Sequence, residues 1–370
     1  MGADVTVYTT DSSVNRRLDV PVNTPVDING VRVFFFRADW SLKRFYSRAL
    51  RSACKNTIGA FDILHIVSFW CYPDIVSCHE ARRQHIPYIL APHGTLMSQS
   101  MRRKRRKKQL YKRLFTYRNM RNAMAIRYTT ELERQQSILD KQVASKTSFV
   151  LPNGIECHEF DQLPTRNDAI ERLGLPSQSK LITYLGRLHA CKQLDLLLLA
   201  FAQAIKYIPD SHLILAGPDD GDEAKLRALT KKFSLYDRIH FLGFIGKEDR
   251  RNLLAATQLL ALVSSAENFG MAAVEAMAAG VPVLVSDRVG VSTEIASDGA
   301  GKVVPPRQDA IAQALTELLL NPLLLNQMGK KAQMSALKRY DIRAVAKQML
   351  IAFEDVLTGR RSQDLNWSDN

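Results

Sequence analysis

Short runs of β-branched and aromatic residues alternate with longer helical patterns along the chain, and this alternation restricts the possible folds more than any other feature. The strand-like runs are DVTVYT, VRVFFF, DILHIV, PYILAP, MAIRYTT and TSFVLP in the first half, and KLITYLG, SHLILAG, RIHFLG, LLALVSS and VPVLVSD in the second. Helical patterns such as QLDLLLLAFAQAIKYI (193–208) and KEDRRNLLAAT (247–257) lie between them. Such alternation is typical of parallel sheets with helices on both faces, so the sequence predicts an α/β fold.

The pattern occurs twice, and 370 residues exceed what one ordinary core supports, so two doubly wound, Rossmann-like domains are expected. The segment LPNGIECHEFDQLPT (151–165), with its Pro, Asn-Gly and polar residues, indicates the join. We predict an N-terminal domain over 1–155, a C-terminal domain over 156–345, and a helix with a polar tail over 346–370. Ligands of open α/β sheets bind outside the carboxyl ends of the strands, which predicts a cleft faced by both domains.

The positive charge is concentrated in the first half. Residues 1–160 contain 26 Lys and Arg against 13 Asp and Glu, whereas residues 161–370 contain 25 against 24, so an anionic partner is expected to meet the first half. The five cysteines are scattered without a disulfide or zinc spacing, which favours a reducing cytoplasm. The sequence contains no apolar run of about 18 residues, so it does not predict a membrane span. The start, MGADVTVYTT, indicates a strand rather than a signal peptide.

The loop LGRLHACKQLD (185–195) follows a strand and leads into a helix, and its cations indicate an anion site. Gly186 permits a tight turn, while Arg187 and Lys192 lie close to a helix N-terminus, where N–H groups and the helix dipole already attract anions. A planar guanidinium beside a mobile ammonium suits a diphosphate. The alternative is that both are ordinary solvated cations of a βα loop.

The stretch SSAENFGMAAVEAMAAG (264–280) contains two carboxylates in different settings. Glu267 is expected in a strand-end loop, where the favourable charge at a helix N-terminus, about 0.3–1 kcal/mol, is a sufficient explanation. Glu275 is expected about one turn into a helix of small apolar residues, where an unpaired carboxylate is costly. We therefore expect a ligand hydroxyl, rather than a protein group, to meet Glu275.

These motifs resemble the retaining glycosyltransferases of family 4, which have the GT-B architecture. The resemblance covers about residues 60–350 and is carried by E-x7-E in ENFGMAAVE, the following AMAAGVPVLVSD, the GRL…K loop, LAGPDDG and LPNGIE. It implies two Rossmann-like domains and transfer of a sugar, with retention, from a UDP- or GDP-sugar. No Asp-x-Asp pair lies in a strand-end loop, so neither a metal nor another cofactor is expected.

The resemblance implies that Arg187 and Lys192 bind the diphosphate of the donor, in the loop that begins at Gly186. One departure from the family is CKQ (191–193), where many relatives have Lys-Gly. The cation is kept there, but the tight glycine turn is not expected.

The resemblance also assigns the two acidic residues. Glu275 would bind the ribose hydroxyls of the nucleotide, and Glu267 would bind hydroxyls of the transferred sugar. The sugar is further expected to meet the backbone N–H groups of four loop residues, Asn268, Phe269, Gly270 and Met271. His93, in LAPHGTL, matches a family histidine near the transferring sugar, which makes Glu267 and His93 the catalytic candidates. The alternative for His93 is a hydrogen-bonded histidine that closes a strand.

The expected mechanism follows from these roles. Departure of the diphosphate leaves an oxocarbenium-like sugar, and Arg187, Lys192 and the helix N-terminus stabilise the charge that grows on the leaving group. No carboxylate nucleophile is evident, so the departing phosphate is expected to take the acceptor proton. Retention is implied by the resemblance alone.

The segment MRRKRRKKQLYKRLFTYRNMRNAM (101–124) contains a run of cations followed by apolar residues at helical spacing. The run consists of Arg102, Arg103, Lys104, Arg105, Arg106, Lys107 and Lys108. Leu110, Tyr111, Leu114 and Phe115 would form one face of a helix, which suits peripheral contact with an anionic membrane leaflet. The alternatives are a helix packed on its own domain and, less favoured, a nucleic-acid patch.

Some related enzymes with a PHG segment before a basic helix build cell-surface glycans on lipid carriers. The resemblance therefore implies a glycan or lipid-diphosphate acceptor, in cell-surface polysaccharide or lipopolysaccharide synthesis at the inner face of the membrane. GADVTVYTT resembles the second strand of the family's first βαβ unit, so the first strand and helix are expected to be missing from this sequence. The alternative functions are an inactive truncated paralogue and a non-enzymatic protein that docks on anionic surfaces.

Overall fold

The structure is a computed structural model, described here over residues 2–13, 16–39, 45–67, 69–102, 105–137, 147–174 and 178–359. The chain divides into two compact units. The first contains the residues up to Leu151 together with those from Lys347 onward, and the second is Pro152–Ala346. Both units contain parallel β-sheet and helices, which confirms the predicted α/β fold. The domain boundaries given above stay predictions.

In the described part of the first unit, the strands form two sheets. Strands β1 (Thr6–Thr10), β2 (Pro25–Ile28) and β3 (Val31–Phe36) form one sheet in the order β1–β3–β2. Strands β4 (Leu64–Val67), β5 (Tyr88–Ala91), β6 (Ala125–Tyr128) and β7 (Ser148–Val150) form a parallel sheet in sequential order. Each of the six strand-like runs of the first half overlaps one of these strands, and every residue of β5 and β6 is buried, as parallel strands covered on both faces require.

Strands β2 and β3 form an antiparallel hairpin that the strand-like runs did not predict. Asn29 and Gly30 connect the two strands, with φ values of 53° and 80°. Positive φ at both central residues is the geometry of a type I′ hairpin turn, for which Asn-Gly is the strongest local signal. The N–H of Gly30 also donates to Asp27 Oδ1 at 3.0 Å.

The helices of the first unit flank these strands in the chain. They are α1 (Arg48–Thr57), α2 (Tyr72–Arg83), α3 (Ser98–Arg102), α4 (Arg105–Tyr111), α5 (Tyr117–Asn122) and α6 (Glu131–Ser137). A π-helical segment, Lys112–Thr116, joins α4 to α5. Helix α1 begins after Ser47, whose Oγ accepts a hydrogen bond from the N–H of Leu50 at 3.0 Å.

The second unit is built on a parallel sheet. Its described strands are β8 (Lys180–Leu185), β9 (Ser211–Ala216), β10 (Ile239–Gly243), β11 (Thr257–Leu262), β12 (Val283–Ser286) and β13 (Gly301–Val304). The sheet order is β10–β9–β8–β11–β12–β13. Strands β9 and β10 are added on one side of β8, and β11, β12 and β13 are added on the other side. The loops after β8 and β11 therefore flank a topological switch point, where ligands of such sheets bind.

Helices alternate with the strands of the second unit. They are α7 (Arg166–Arg172), α8 (Leu194–Ala204), α9 (Glu223–Lys232), α10 (Lys247–Ala256), α11 (Met271–Ala278), α12 (Ser292–Asp298), α13 (Gln308–Leu319), α14 (Pro322–Tyr340) and α15 (Ile342–Thr358). Helix α15 begins in the second unit, and its residues from Lys347 onward belong to the first. There the ring of Phe353 lies 5.8 Å from the ring of His65, and Ala352 and Val356 are buried.

Among the helices of the described residues, none combines the length and the apolarity that crossing a bilayer requires.

Candidate functional site

Two glycines at the ends of β8 and β9 bring two backbone segments into close contact. Gly186 follows β8 with a φ of 145°, and Gly217 follows β9 with a φ of 148°, values that favour glycine. A Cβ atom added at Gly217 would lie only 1.9 Å from the carbonyl oxygen of Gly186. The loop that begins at Gly186 is therefore packed directly against the end of β9.

Arg187 extends from this loop, with 66% of its side chain exposed. Its Nη1 donates to Asp220 Oδ2 at 2.5 Å. Asp219, which precedes Asp220 in the chain, accepts hydrogen bonds from the N–H groups of Gly221 and Glu223 at the start of α9. The hydrogen bonds from Glu223 and Gly221 contribute most to lowering the pKa of Asp219. An exposed guanidinium with a single carboxylate partner can exchange that partner for an anionic ligand.

Lys192, the other predicted diphosphate cation, is far less exposed. Its Nζ forms an ion pair with Glu267 Oε2, and the side chains of Lys192 and Glu267 are 16% and 21% exposed. Gln193 follows with φ 52° and ψ 43°, in the left-handed region, and α8 begins at the next residue. The expectation that the tight turn is lost at CKQ is therefore wrong. Gln193 adopts the conformation that glycine favours, at a cost of about 1–2 kcal/mol.

The loop after β11 is hydrogen-bonded to the loop after β8. The N–H and Oγ of Ser265 both donate to the carbonyl oxygen of Cys191, at 2.9 and 3.0 Å. The N–H of Glu267 donates to the carbonyl oxygen of Arg288 at 3.1 Å. These backbone contacts place the carboxylate of Glu267 beside Lys192, so the structure brings together two of the residues that the sequence analysis singled out.

Helix α11 begins directly after this loop. Gly270 precedes the helix with a φ of 107°, and a Cβ atom there would lie 2.9 Å from Cγ1 of Val289. Within the described chain, the backbone N–H groups of Phe269, Gly270 and Met271 make no hydrogen bond to a protein acceptor. Unsatisfied N–H groups at a helix start can bind an anion or a hydroxyl oxygen.

Glu275 lies within α11 and has a protein partner, contrary to our expectation that a ligand hydroxyl alone would meet it. Arg250 of α10 donates from Nη1 to Glu275 Oε1 at 2.9 Å, and the two side chains are 31% and 16% exposed. Burial raises the pKa of Glu275 above its ordinary value, Arg250 opposes that shift, and the nearby Glu159 adds to it. The partly buried carboxylate is thus stabilised as an ion by the Arg250 guanidinium on the neighbouring helix.

His93 of the first unit follows the buried strand β5, as predicted. Its φ is 47°, and that of Gly94 is 77°. Burial and the nearby Arg127 guanidinium lower the pKa of His93 to about 4, so its ring is neutral at pH 7. Burial also lowers the pKa of His65 on β4, to about 3, with Arg127 and His93 contributing.

The basic segment is described in part. Arg103 and Lys104 lie outside the described residues, and Arg102 and Arg105 are described only through their helical backbones. Arg106 and Lys107 are exposed. Lys108 instead turns toward the unit, where its Nζ donates to the carbonyl oxygen of Ser100 at 2.6 Å and lies 5.3 Å from the centre of the Trp70 ring.

The apolar residues of the basic segment do not form the single face that their spacing predicts. Tyr111 packs against the rings of Trp70 and Phe115, at 5.4 and 5.1 Å between ring centres. Leu110 and Leu114 point to solvent and are 60% and 55% exposed. Leu114 lies within the π-helical segment between α4 and α5, which departs from α-helical spacing, and Leu110, which precedes that segment, is offset from Tyr111 by about 100° around α4.

Two family comparisons cover most of the chain. Residues 165–335 match the family of glycosyl transferases group 1, and residues 1–154 match the glycosyl transferase 4-like domain. The chain has the GT-B fold, with one domain matching each of these two families.

Individual relatives agree with this assignment. The phosphatidyl-myo-inositol mannosyltransferase of Mycobacterium leprae is 30% identical over 211 residues, 56% of this chain and 54% of the relative. The GT-B chain spans about half the length of this and other curated relatives that it matches. Among solved structures, sucrose-phosphate synthase from Thermosynechococcus elongatus has a TM-score of 0.76 at 20% identity, covering 97% of this chain and 90% of that one. Anabaena HepE in complex with UDP and glucose has a TM-score of 0.72 at 21% identity, covering 88% and 86%. These structural likenesses show the fold.

Three charged neighbours of candidate residues were not predicted from the sequence of the GT-B chain. Asp220 pairs with Arg187, Arg250 pairs with Glu275, and Arg127 lies near His93. Asp220 belongs to LAGPDDG, so the motif itself offered a signal for it. Arg250 and Arg127 belong to an ordinary amphipathic helix and a buried strand, where no local pattern distinguishes them.

Proposed function

We propose that this GT-B chain transfers a sugar, with retention, from a nucleotide diphosphate sugar to a glycan or lipid-linked acceptor. The observation that carries the proposal is the Lys192–Glu267 pair beside the N–H groups of Phe269, Gly270 and Met271, which have no protein acceptor in the described chain. These groups lie at the carboxyl ends of β8 and β11, at the switch point of the sheet. A cation suits a diphosphate, whereas a carboxylate and N–H groups suit sugar hydroxyls.

Lys192 can bind the leaving diphosphate without losing its ion pair with Glu267. An ammonium has three N–H donors, so Lys192 can keep Glu267 and still donate to diphosphate oxygens. Glu267 has further lone pairs for a hydroxyl of the transferred sugar. Arg187, which is more exposed, adds a second cation when the diphosphate displaces Asp220. Charge that grows on the leaving diphosphate then develops beside cations already in place.

Glu275 supplies the ribose contact in this proposal. A ribose presents two neighbouring hydroxyl groups that can donate hydrogen bonds. An ionised carboxylate accepts such hydrogen bonds better than a neutral carboxylic acid does. Arg250 favours the ionised form, because it opposes the effect of burial on the pKa of Glu275. The ion pair found in the structure is therefore compatible with ribose binding, since Oε2 is not part of the 2.9 Å contact.

His93 contacts the transferring sugar in this proposal, as a neutral hydrogen-bonding group. Its low pKa, about 4, leaves the ring uncharged at pH 7, so it can accept from one hydroxyl and donate to another. The leaving phosphate, rather than His93, takes the proton of the acceptor.

The acceptor is proposed to be a lipid-linked glycan of cell-surface polysaccharide synthesis, lipopolysaccharide included. The Mycobacterium leprae relative is named for a phosphatidyl-myo-inositol substrate, which supports a lipid-linked acceptor. Exposed Leu110 and Leu114 next to exposed Arg106, Lys107 and Arg113 support peripheral contact with the anionic cytoplasmic leaflet.

Thermal stabilisation by a panel of UDP- and GDP-sugars tests the donor site. A bound donor at about 100 times its Kd stabilises the folded state by about 2.7 kcal/mol, so one donor should raise the Tm by several degrees. Glu275→Ala should abolish this shift. Glu317→Ala, which removes a half-exposed carboxylate from the ion pair with Lys302 in the same unit, should keep it. No shift with any donor, or an unchanged shift in Glu275→Ala, would refute the proposal.

The exposed leucines also favour a second candidate function, docking on anionic membranes without catalysis. Co-sedimentation with phosphatidylserine-containing vesicles tests it, with Leu110→Ser/Leu114→Ser as the variant and Leu323→Ser, at a 77% exposed leucine of α14, as the control. Vesicle binding that depends on Leu110 and Leu114, together with an absence of nucleotide-sugar turnover, would favour docking over transfer. Vesicle binding together with turnover would favour the lipid-linked acceptor.

A further inference from the structure

The segment that contains His93 is a tight turn with an unusual backbone. The N–H of Thr95 donates to the carbonyl oxygen of Pro92 at 3.2 Å, which closes a β-turn around His93 and Gly94. Both central residues have positive φ, 47° and 77°, as in a type I′ turn. Positive φ is uncommon for residues other than glycine, although histidine adopts it more often than most, so the position of the His93 ring depends on contacts that hold the turn.

Glu133 of α6 makes such a contact. Its side chain is fully buried, and Oε1 accepts a hydrogen bond from the N–H of Gly94 at 2.5 Å. Oε2 accepts from the N–H and from Oγ1 of Thr129, both at 2.8 Å. One carboxylate thus joins the His93–Gly94 turn after β5 to the residue that follows β6.

A purely local role does not explain this arrangement. A glutamate in the first turn of a helix ordinarily caps the backbone of that same helix. Glu133 does have a local contact, because its N–H donates a hydrogen bond to Thr130 Oγ1 at 3.1 Å. Its Oε1, however, binds Gly94, 39 residues earlier in the chain. A hydrogen bond to an ionised acceptor is about twice as strong as a neutral one, so this contact can oppose the strain of the turn.

Buried Arg127 balances the charge of Glu133. Arg127 is 6% exposed, its Nε donates to the carbonyl oxygen of Leu151 at 3.1 Å, and Glu133 raises its pKa against the effect of burial. The pKa of Arg127 remains about 10, so the guanidinium is charged at pH 7. A charged guanidinium therefore lies near the buried carboxyl group of Glu133.

We propose that Glu133 is a positioning residue for the transfer reaction: by binding the N–H of Gly94 it fixes the left-handed turn that orients the His93 ring. The inference deepens the proposed function and rests on it, since it requires that His93 contact the transferring sugar. Glu133 itself is buried and meets neither the donor nor the acceptor.

Glu133→Gln tests the inference, because the amide preserves the size of the side chain but replaces one acceptor oxygen with a donor. Either Gly94 or Thr129 then faces an N–H group instead of an oxygen. The kcat should fall about 10- to 100-fold, the effect of misplacing a reacting group by about 1 Å, while the KM for the donor stays within about twofold. Glu80→Gln is the matched control, because Glu80 is also a buried glutamate of the first unit and pairs with Arg83 at 2.7 Å.

A double-mutant cycle separates positioning from general damage to the fold. In the His93→Ala background, Glu133→Gln should lower the kcat by less than about twofold, because the ring that Glu133 orients is gone. A full further loss in that background, or an equal loss of kcat in Glu80→Gln, would overturn the inference.

Hydrogen–deuterium exchange provides a measurement that does not depend on activity. The amide of Gly94 should exchange at least tenfold faster in Glu133→Gln than in the unmodified protein and in Glu80→Gln. Unchanged exchange would overturn the inference even if turnover falls. Faster exchange without any loss of kcat would show that the turn is released but does not orient a reacting group, which also overturns it. Failure of the proposed function is distinguishable, because it appears as an unmodified protein that neither binds nor turns over any nucleotide sugar.

Discussion

Replacing Arg250 by alanine leaves the carboxylate of Glu275 in α11 without its cation, and the cost of that change can be worked out from the structure. An exposed ion pair contributes about 0–1 kcal/mol, whereas removing one partner of a buried pair costs about 3–5 kcal/mol. The side chains of Arg250 and Glu275 are 31% and 16% exposed and their contact is 2.9 Å long, so the pair lies between these limits. We expect a loss of about 2 kcal/mol at neutral pH, which lowers the Tm by about 4–8 °C for a domain of this size.

The destabilisation should depend on pH in a defined direction. Burial raises the pKa of Glu275, so folding favours its protonated form, and the cost of the buried charge grows as the pH rises above the ordinary pKa of glutamate. Loss of Arg250 enlarges that cost. The difference in Tm between the unmodified protein and Arg250→Ala should therefore be largest near pH 7–8 and should shrink as the pH falls toward about 4.

Thermal melts monitored by circular dichroism between pH 4 and pH 8 measure this difference. The double variant Arg250→Ala/Glu275→Gln should recover most of the lost stability at pH 7, because a neutral amide does not need the cation. A destabilisation of Arg250→Ala that is the same at all pH values, or that Glu275→Gln fails to relieve, would refute the reasoning.

Three further predictions concern the loops around the donor site. Lys192→Ala should lower turnover and also cost about 1–3 kcal/mol of stability, because it leaves the partly buried Glu267 without its partner, as thermal melts and steady-state assays would show. Arg187→Ala should lower turnover with less than about 0.5 kcal/mol change in stability, because its side chain is 66% exposed; a large fall in Tm would contradict this. Gly217→Ala should lower the Tm by several degrees, since a Cβ there would lie 1.9 Å from a carbonyl oxygen, whereas Gly246→Ala, with no atom within 4 Å, should lower it less in the same melts, only through the poorer N-cap of α10.

Local patterns predicted the elements of the fold, and the exceptions have local explanations. The strand-like runs were recognisable because buried parallel strands are nearly continuous in β-branched and apolar residues. Strand β13 was not predicted, since GKVV is only four residues long and begins with a glycine. That glycine is required because a Cβ at Gly301 would lie 2.0 Å from the carbonyl oxygen of Val283. The hairpin is marked by a turn signal, Asn29-Gly30, rather than by two long strand-like runs.

The loops that contain the candidate residues were predictable, but the partners of those residues were not. The sequence placed Gly, Arg, Lys and Glu in loops at strand ends, where parallel strands present their carboxyl ends on one edge. The pairing of Glu275 with Arg250, and of Gly94 with Glu133, joins residues 25 and 39 positions apart. Such contacts depend on how helices pack against a sheet, and no short sequence window contains that information. Leu110 and Leu114 were assigned to one face with Tyr111 because the spacing assumes a regular α-helix, which the π-helical segment Lys112–Thr116 interrupts.

Helix α15 determines the order in which the protein can mature during synthesis. The first unit includes residues from Lys347 onward, and Ala352 and Phe353 belong to its packing. A ribosome must therefore synthesise all of the second unit, Pro152–Ala346, before the residues from Lys347 onward, which complete the first unit, can emerge. The usual vectorial sequence, N-terminal domain first, is reversed. A nascent chain stalled just before residue 347 would present a complete second unit attached to an unfinished first one, exposed to chaperones and proteases.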